Sequence, residues 1–148
     1  MTILFDYIEK HKLLITKWTG DFSLTEYQKS VHLFEPICKK HNIQNIIHCI
    51  SNIEYPEDAN NYNIDIIKKV AKIRIESFSY NYKVVIITNK PKDVVYTHLY
   101  VKELNMQNKY HYCSTMEKAQ KLLSISDPLL NLPLRFGSLE YNLKHLIQ

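Results

Sequence analysis

Glycine is almost missing from this chain: Gly20 and Gly137 are the only two among 148 residues. Loops that cradle phosphate need several glycines so that backbone N–H groups can close on the anion. Neither G-x-G-x-x-G nor a P-loop can be written here, which argues against nucleotide binding of that kind. Cysteine is scarce too. Cys38, Cys49 and Cys113 are odd in number and show no C-x-x-C spacing, which suits reduced, mostly buried thiols better than a disulfide framework. No apolar run approaches the ~20 residues of a membrane span. The opening Met1-Thr2-Ile3-Leu4-Phe5-Asp6 meets a charge too early for a signal-peptide core, so the expected location is the cytoplasm. Acidic residues are missing where a receiver-like phosphoacceptor would need them, because the third and fourth expected strands run into Ile50-Ser51-Asn52 and Thr88-Asn89-Lys90.

What is present fits one ordinary globular domain. Apolar residues make up 45% and charged residues 23%, and a chain of this length can bury roughly 70% of its unfolded surface without a metal or disulfide staple. The net charge is +4 and the lysines are scattered, which describes a solvated face rather than a nucleic-acid footprint. Eleven tyrosines, several beside lysines (Tyr80, Tyr82 and Lys83; Tyr96, Tyr100 and Lys102; Lys109, Tyr110 and Tyr112), have the chemistry to stack on bases. With a pI of 8.8 they read more simply as core residues with a wet hydroxyl, and no nucleic-acid partner is expected.

The runs Ile3 to Ile8 and Leu13 to Trp18, separated by Glu9-Lys10-His11-Lys12, predict a β-hairpin. Ser23-Leu24-Thr25-Glu26 reads as a capping box, with the serine accepting from the Glu26 N–H and the Glu26 carboxylate reaching back. The helix it opens carries Leu24, Tyr27, Val31, Phe34 and Cys38 on one stripe, and Pro36 predicts a kink or break near Leu33. Ile46 to Ile50 predicts a strand covered on both faces, and Ser51 to Asn63 a polar loop. A second helix, Ile64 to Phe78, shows two stripes: Ile64, Ile67, Ala71, Ile75 and Phe78 toward the core, and Ile66, Val70 and Ile73 nearly opposite. Lys83 to Thr88 is the clearest buried strand, followed by a helix from about Asp93 to Asn105 with Pro91 near its first turn. Tyr110 to Cys113 predicts a last strand, and Ser114-Thr115-Met116-Glu117 a second capping box before a helix to about Leu123. Beyond Ser126 the pattern becomes Leu-rich, and Leu139, Leu143, Leu146 and Ile147 predict a short C-terminal helix.

Strands alternating with helices after a hairpin imply an α/β domain with a five-stranded, mixed but largely parallel sheet in the order β-β-α-β-α-β-α-β-α, plus a C-terminal helical appendix. The division is a domain over residues 1–125 and an extension over 126–148 that packs on the domain or on a partner subunit. This order, with Leu14-Ile15-Thr16-Lys17-Trp18-Thr19-Gly20 leading to Thr25-Glu26-Tyr27, and with Tyr112-Cys113-Ser114-Thr115-Met116-Glu117-Lys118-Ala119, resembles the SpoIIAA-like or STAS superfamily. The resemblance covers about Ile3 to Ile125 and implies a non-enzymatic module that binds a protein partner or a small ligand, with no cofactor. Anti-sigma-factor antagonists of that superfamily carry a phosphorylatable serine in an Asp-Ser-x-Gly motif after the third strand. The equivalent stretch here, Ser51 to Asn60, has neither the Asp-Ser pair nor the glycine.

Candidate chemistry is thin. His48, Cys49, His111 and Cys113 lie on two expected strands, but neighbouring residues on a strand face opposite ways, so His48 and Cys49 do not serve one metal, and core or edge roles are expected for all four. The carboxyl edge of the parallel strands is where ligands of open α/β sheets sit, which nominates Ser51, Asn52, Tyr55, Asn60, Tyr62, Asn89 and Lys90 as a ligand or partner edge. Leaving Ile66, Val70 and Ile73 in water would forgo roughly 1.5–3 kcal/mol each. Cover by the tail, Leu129 to Ile147, or by a second copy in a homodimer is therefore expected. The alternative function is a small-molecule-binding, lipid-binding or enzymatic domain whose pocket forms only in three dimensions.

Overall fold

The computed structural model describes residues 1–55, 64–77, 81–106, 108–127 and 137–138. Strands β1 (Thr2–Ile8) and β2 (Leu13–Asp21) make the expected antiparallel hairpin, with Ile3 opposite Trp18 and Phe5 opposite Thr16. The polar Glu9–His11 linker forms a single 3-10 turn, closed by Lys12 in the left-handed region at φ 47°. Strands β3 (Asn45–Glu54), β4 (Lys83–Ile87) and β5 (Tyr110–Cys113) join in parallel, giving the order β5-β4-β3-β2-β1. Helices α1 (Leu24–Lys40), α2 (Ile64–Ser77), α3 (Pro91–Leu104) and α4 (Met116–Leu122) alternate with them. This is the five-stranded mixed α/β architecture that the alternation of patterns implied.

A short sixth strand, β6 (Gly137–Ser138), pairs antiparallel with Leu4 and Phe5 on the outer edge of β1. The remainder of the Leu-rich extension, with the C-terminal helix expected from Leu139, Leu143, Leu146 and Ile147, lies outside the described residues.

Sheet order dictates where the helices go. The chain advances from β2 to β5 always in one direction, and crossovers between parallel strands keep one hand, so successive crossovers land on one face. Val31, Phe34, Ala71, Val101 and Leu104, from α1, α2 and α3, accordingly share a core with Leu14, Trp18, Ile46, Val84 and Ile86. Ala119 of α4 shares the other face with Leu13, Ile15, Ile47, Val85 and Ile87. The alternation of side chains along each strand sorts these residues, odd from even, into the two layers.

Four local expectations change. Helix α1 runs unbroken through Pro36 to Lys40. Pro36 is exposed, so the carbonyl it leaves without a donor is on the wet side, while Ile37 and Cys38 directly after it are buried and anchor the last turns. Ser23 caps α1 as expected, accepting from the Glu26 N–H at 3.3 Å. The Glu26 carboxylate, however, pairs with the N-terminal ammonium of Met1 at 2.9 Å rather than reaching back. The cap of α4 is Thr115, one residue beyond the expected Ser114, and its hydroxyl accepts from the Lys118 N–H at 3.2 Å. Strand β3 continues to Glu54, so Ser51 and Asn52 are strand rather than loop. Replacing Ser23 with alanine should lower stability by about 1 kcal/mol. A urea titration with an unchanged m-value would show it, and an unshifted midpoint would mean that the cap carries no weight.

In α2 the buried line is Ile67, Ala71 and Arg74. Ile64 and Ile75, expected in the core, are 55% and 47% exposed, and Phe78 lies outside the described residues. Ile66, Val70 and Ile73 are half-buried, and Ile73 packs against the core that the helices share with the sheet. The helix is thus rotated about its axis from the expected orientation, because Arg74 rather than Ile75 occupies the inner position one turn beyond Ala71.

Candidate functional site

The three-helix face does not close completely over the sheet. Between them lies a partly open cavity of about 140 Å³. Its floor is Trp18 of β2, Ile46, His48, Ile50 and Ile53 of β3, and Ile86 of β4. Tyr27, Val31 and Phe34 wall it from α1, Ile66, Ile67, Val70 and Arg74 from α2, and Tyr96, Thr97 and Tyr100 from α3.

A bulge builds part of that floor. Lys17 pairs with Cys49 but Thr19 pairs with Asn52, so β3 carries one extra residue at this point. One extra residue reverses which parity faces the helices. His48 lines the cavity before the bulge, Ile50 lines it from the bulge itself, and Ile53, an odd position, lines it afterwards. Aromatic rings fill the rim: Phe22 lies 5.6 Å from Tyr55, and Tyr55 lies 5.9 Å from Tyr96.

Few polar groups enter this space, and each is held. The indole N–H of Trp18 donates to Thr16 Oγ1 at 2.8 Å, and Thr16 Oγ1 lies 2.6 Å from His48 Nδ1. Trp18 can only donate, and Thr16 is fully buried, so the threonine hydroxyl spends its proton on Nδ1. Nδ1 is therefore an acceptor and the proton of neutral His48 resides on Nε2. Burial, reinforced by the charge of Arg74, pulls the His48 pKa down to about 3, so the ring stays neutral at physiological pH.

Arg74 is 6% exposed and is the one charged side chain among the described lining residues. Its Nε donates to Tyr110 Oη at 2.5 Å, and its guanidinium lies over the rings of Tyr82 and Tyr110 at 5.4 and 5.5 Å. Burial raises the pKa of Tyr27 to about 12 and also lifts those of Tyr82, Tyr100 and Tyr110, so these phenols remain neutral around the cation. The Tyr27 and Tyr100 hydroxyls face each other at 3.5 Å. Chemically, this is an apolar chamber with one fixed positive charge and one fixed neutral donor.

The residues nominated from sequence separate. Tyr55, Ile66 and Val70 reach the cavity, and Ile73 packs against the same core. Ser51 and Asn52 sit in β3, on the stretch paired with β2. Asn89 follows β4, and Lys90 is the N-cap residue of α3, its ammonium tied to Ile53 O at 3.2 Å and Glu54 Oε1 at 3.1 Å. Asn60 and Tyr62 lie outside the described residues. Beside Lys90 at this carboxyl edge, Thr88 Oγ1 and Asp93 Oδ2 are buried without a hydrogen-bond partner, and burial raises the Asp93 pKa. His48 and Cys49 face opposite layers, as strand alternation requires. Burial pushes the thiols up, Cys38 to about 12 and Cys49 to about 11, which leaves them protonated and poorly nucleophilic.

Sequence reasoning missed Arg74 altogether. One signal was available: the chain uses lysine nearly everywhere and has only two arginines, Arg74 and Arg135, with Arg74 seven residues beyond the buried Ile67 on the same helical face. An arginine on a core stripe, in a chain that otherwise prefers lysine, marks a planar cation held for its geometry. No family model matches the chain, and a search of curated proteins finds no match to it.

Proposed function

We propose that the chain is a non-enzymatic small-ligand-binding module, as its STAS-like sequence features imply, working in the cytoplasm with its ligand seated between the sheet and α1 to α3. The observation that carries this reading is the cavity: about 140 Å³ of space, walled by aromatic and aliphatic side chains, with a small set of fixed polar groups. Ligand pockets have this composition, because apolar walls supply affinity and a few polar groups supply orientation. Packing energetics support it. A partly open space lined by apolar side chains leaves their surface in contact with water, at ~25 cal/mol per Å², which a domain built for rigidity alone would recover by filling it. The size also bounds the ligand, since a void of ~150 Å³ accommodates one benzene ring. Nothing on the described wall pairs a nucleophile with a base, and the three free thiols suit a reducing compartment.

Trp18 is the chain's single tryptophan and forms part of the cavity floor, so its emission reports occupancy directly. Toluene should change that emission saturably in the wild type. Val70→Phe, which fills the space from α2, should abolish the response while the melting temperature holds or rises. An unchanged response in Val70→Phe, or none in the wild type, would sink the reading.

A further inference from the structure

The geometry points to a compact monocarboxylate as the occupant of the cavity, its carboxylate held by Arg74 and the Nε2–H of His48 and its apolar body lying against Trp18 and Phe34. This inference rests on the ligand-binding reading and names the chemical class of the ligand.

Polarity is the first argument. The Trp18 to Thr16 to His48 relay consumes Nδ1 as an acceptor and leaves His48 presenting a donor to the chamber. Arg74 presents only donors. The tyrosine hydroxyls of the wall can follow either role, so the two groups with a fixed role ask the ligand for acceptors. Charge is the second argument. The wall carries one guanidinium and, among the described lining residues, no carboxylate. A single negative charge complements it, whereas a dianion such as a phosphate monoester would bring a second charge into apolar surroundings. Shape is the third. The planar guanidinium matches a carboxylate through parallel N–H···O bonds. The whole space, near that of one aromatic ring, limits the ligand to a compact molecule whose head group takes up part of it.

Both polar groups line the same cavity, His48 from the sheet floor and Arg74 from α2. An anion between them would therefore meet a cation on one side and a neutral donor on the other. Inserting a donor-bearing head group would set N–H against N–H, which is the kind of mismatch that discriminates close isosteres.

Titration of the full chain at pH 7 with benzoate, benzamide and toluene, read by Trp18 emission, tests this. Benzoate should bind at least tenfold more tightly than benzamide. Arg74→Gln should erase that preference while leaving toluene binding within about twofold. Arg74→Lys, which keeps the charge and is the safer variant for folding, should weaken benzoate about three- to tenfold because it loses the planar fork. His48→Phe, which removes the Nε2 donor, should weaken benzoate about fivefold and toluene not at all. If benzamide or toluene binds as tightly as benzoate, the carboxylate assignment fails and the cavity remains a ligand site. If none of the three alters Trp18 emission, the ligand-binding reading falls and this inference with it.

Discussion

Truncating Phe34 to alanine should destabilise the domain by about 3–5 kcal/mol, the range for removing a buried aromatic ring. Phe34 is 4% exposed, stacks on Trp18 with ring centroids 5.9 Å apart, and meets His48 edge-on at 5.9 Å. Its neighbours are held by the sheet and by the Thr16 hydrogen bonds, so they have little freedom to collapse into the gap. The ring also borders existing empty space, so truncation enlarges a cavity rather than opening a new one. Part of the loss should then be recoverable by an apolar filler: a benzene-sized molecule at a hundred times its dissociation constant restores about 2.7 kcal/mol. Urea denaturation with and without toluene measures both effects. A loss below about 1 kcal/mol, or no rescue, would show that α1 does not pack over this chamber as described.

Acidification should destabilise the domain through His48, and the window follows from its depressed pKa. Above pH ~6.5 the imidazole is neutral in both folded and unfolded chains and contributes no pH dependence. Between ~6.5 and the folded value of about 3, the unfolded chain takes up a proton that the folded chain refuses, so stability falls as pH falls. The limiting slope is about 1.4 kcal/mol per pH unit, or on the order of 2–3 kcal/mol by pH 4.5. His41, whose pKa is lowered by burial and then by Lys40, acts in the same direction. Asp93, whose pKa is raised by burial, opposes it as the pH drops toward the carboxylate range. Comparison with His48→Gln isolates the histidine: urea midpoints measured from pH 7 to 4.5 should fall less steeply in the variant. Parallel profiles would mean that His48 titrates normally in the fold.

Much of the architecture was legible because local periodicity decides it. Val31, Phe34 and Cys38 recur at helical spacing and are all buried, and the continuous run Val84 to Ile87 is a strand covered on both faces. Where sequence reading failed, a polar residue took a position that hydrophobicity alone would give to an aliphatic one. Arg74 lies inside because tyrosine rings and hydroxyls receive it, and no apolar periodicity scores an arginine as core. Ser51 and Asn52 belong to a strand because the bulge carries pairing past Lys17 to Asp21, a tertiary effect invisible in their composition. The cavity was least legible. Its walls come from seven strands and helices spread between Trp18 and Tyr110, and a void is set by what several side chains jointly fail to fill.

The strand order has a kinetic meaning as well. From β1 to β5, every sheet neighbour is also the next strand along the chain. Closing each pair therefore requires looping only the one linker between them, and loop-closure entropy is smallest for such local steps. Parallel sheets that pair distant strands assemble slowly. This one can grow a strand at a time, outward from the N-terminal hairpin, in the order in which a ribosome delivers it. Among the described strands the exception is β6, which returns to β1 across more than a hundred residues and so closes the longest loop in the sheet.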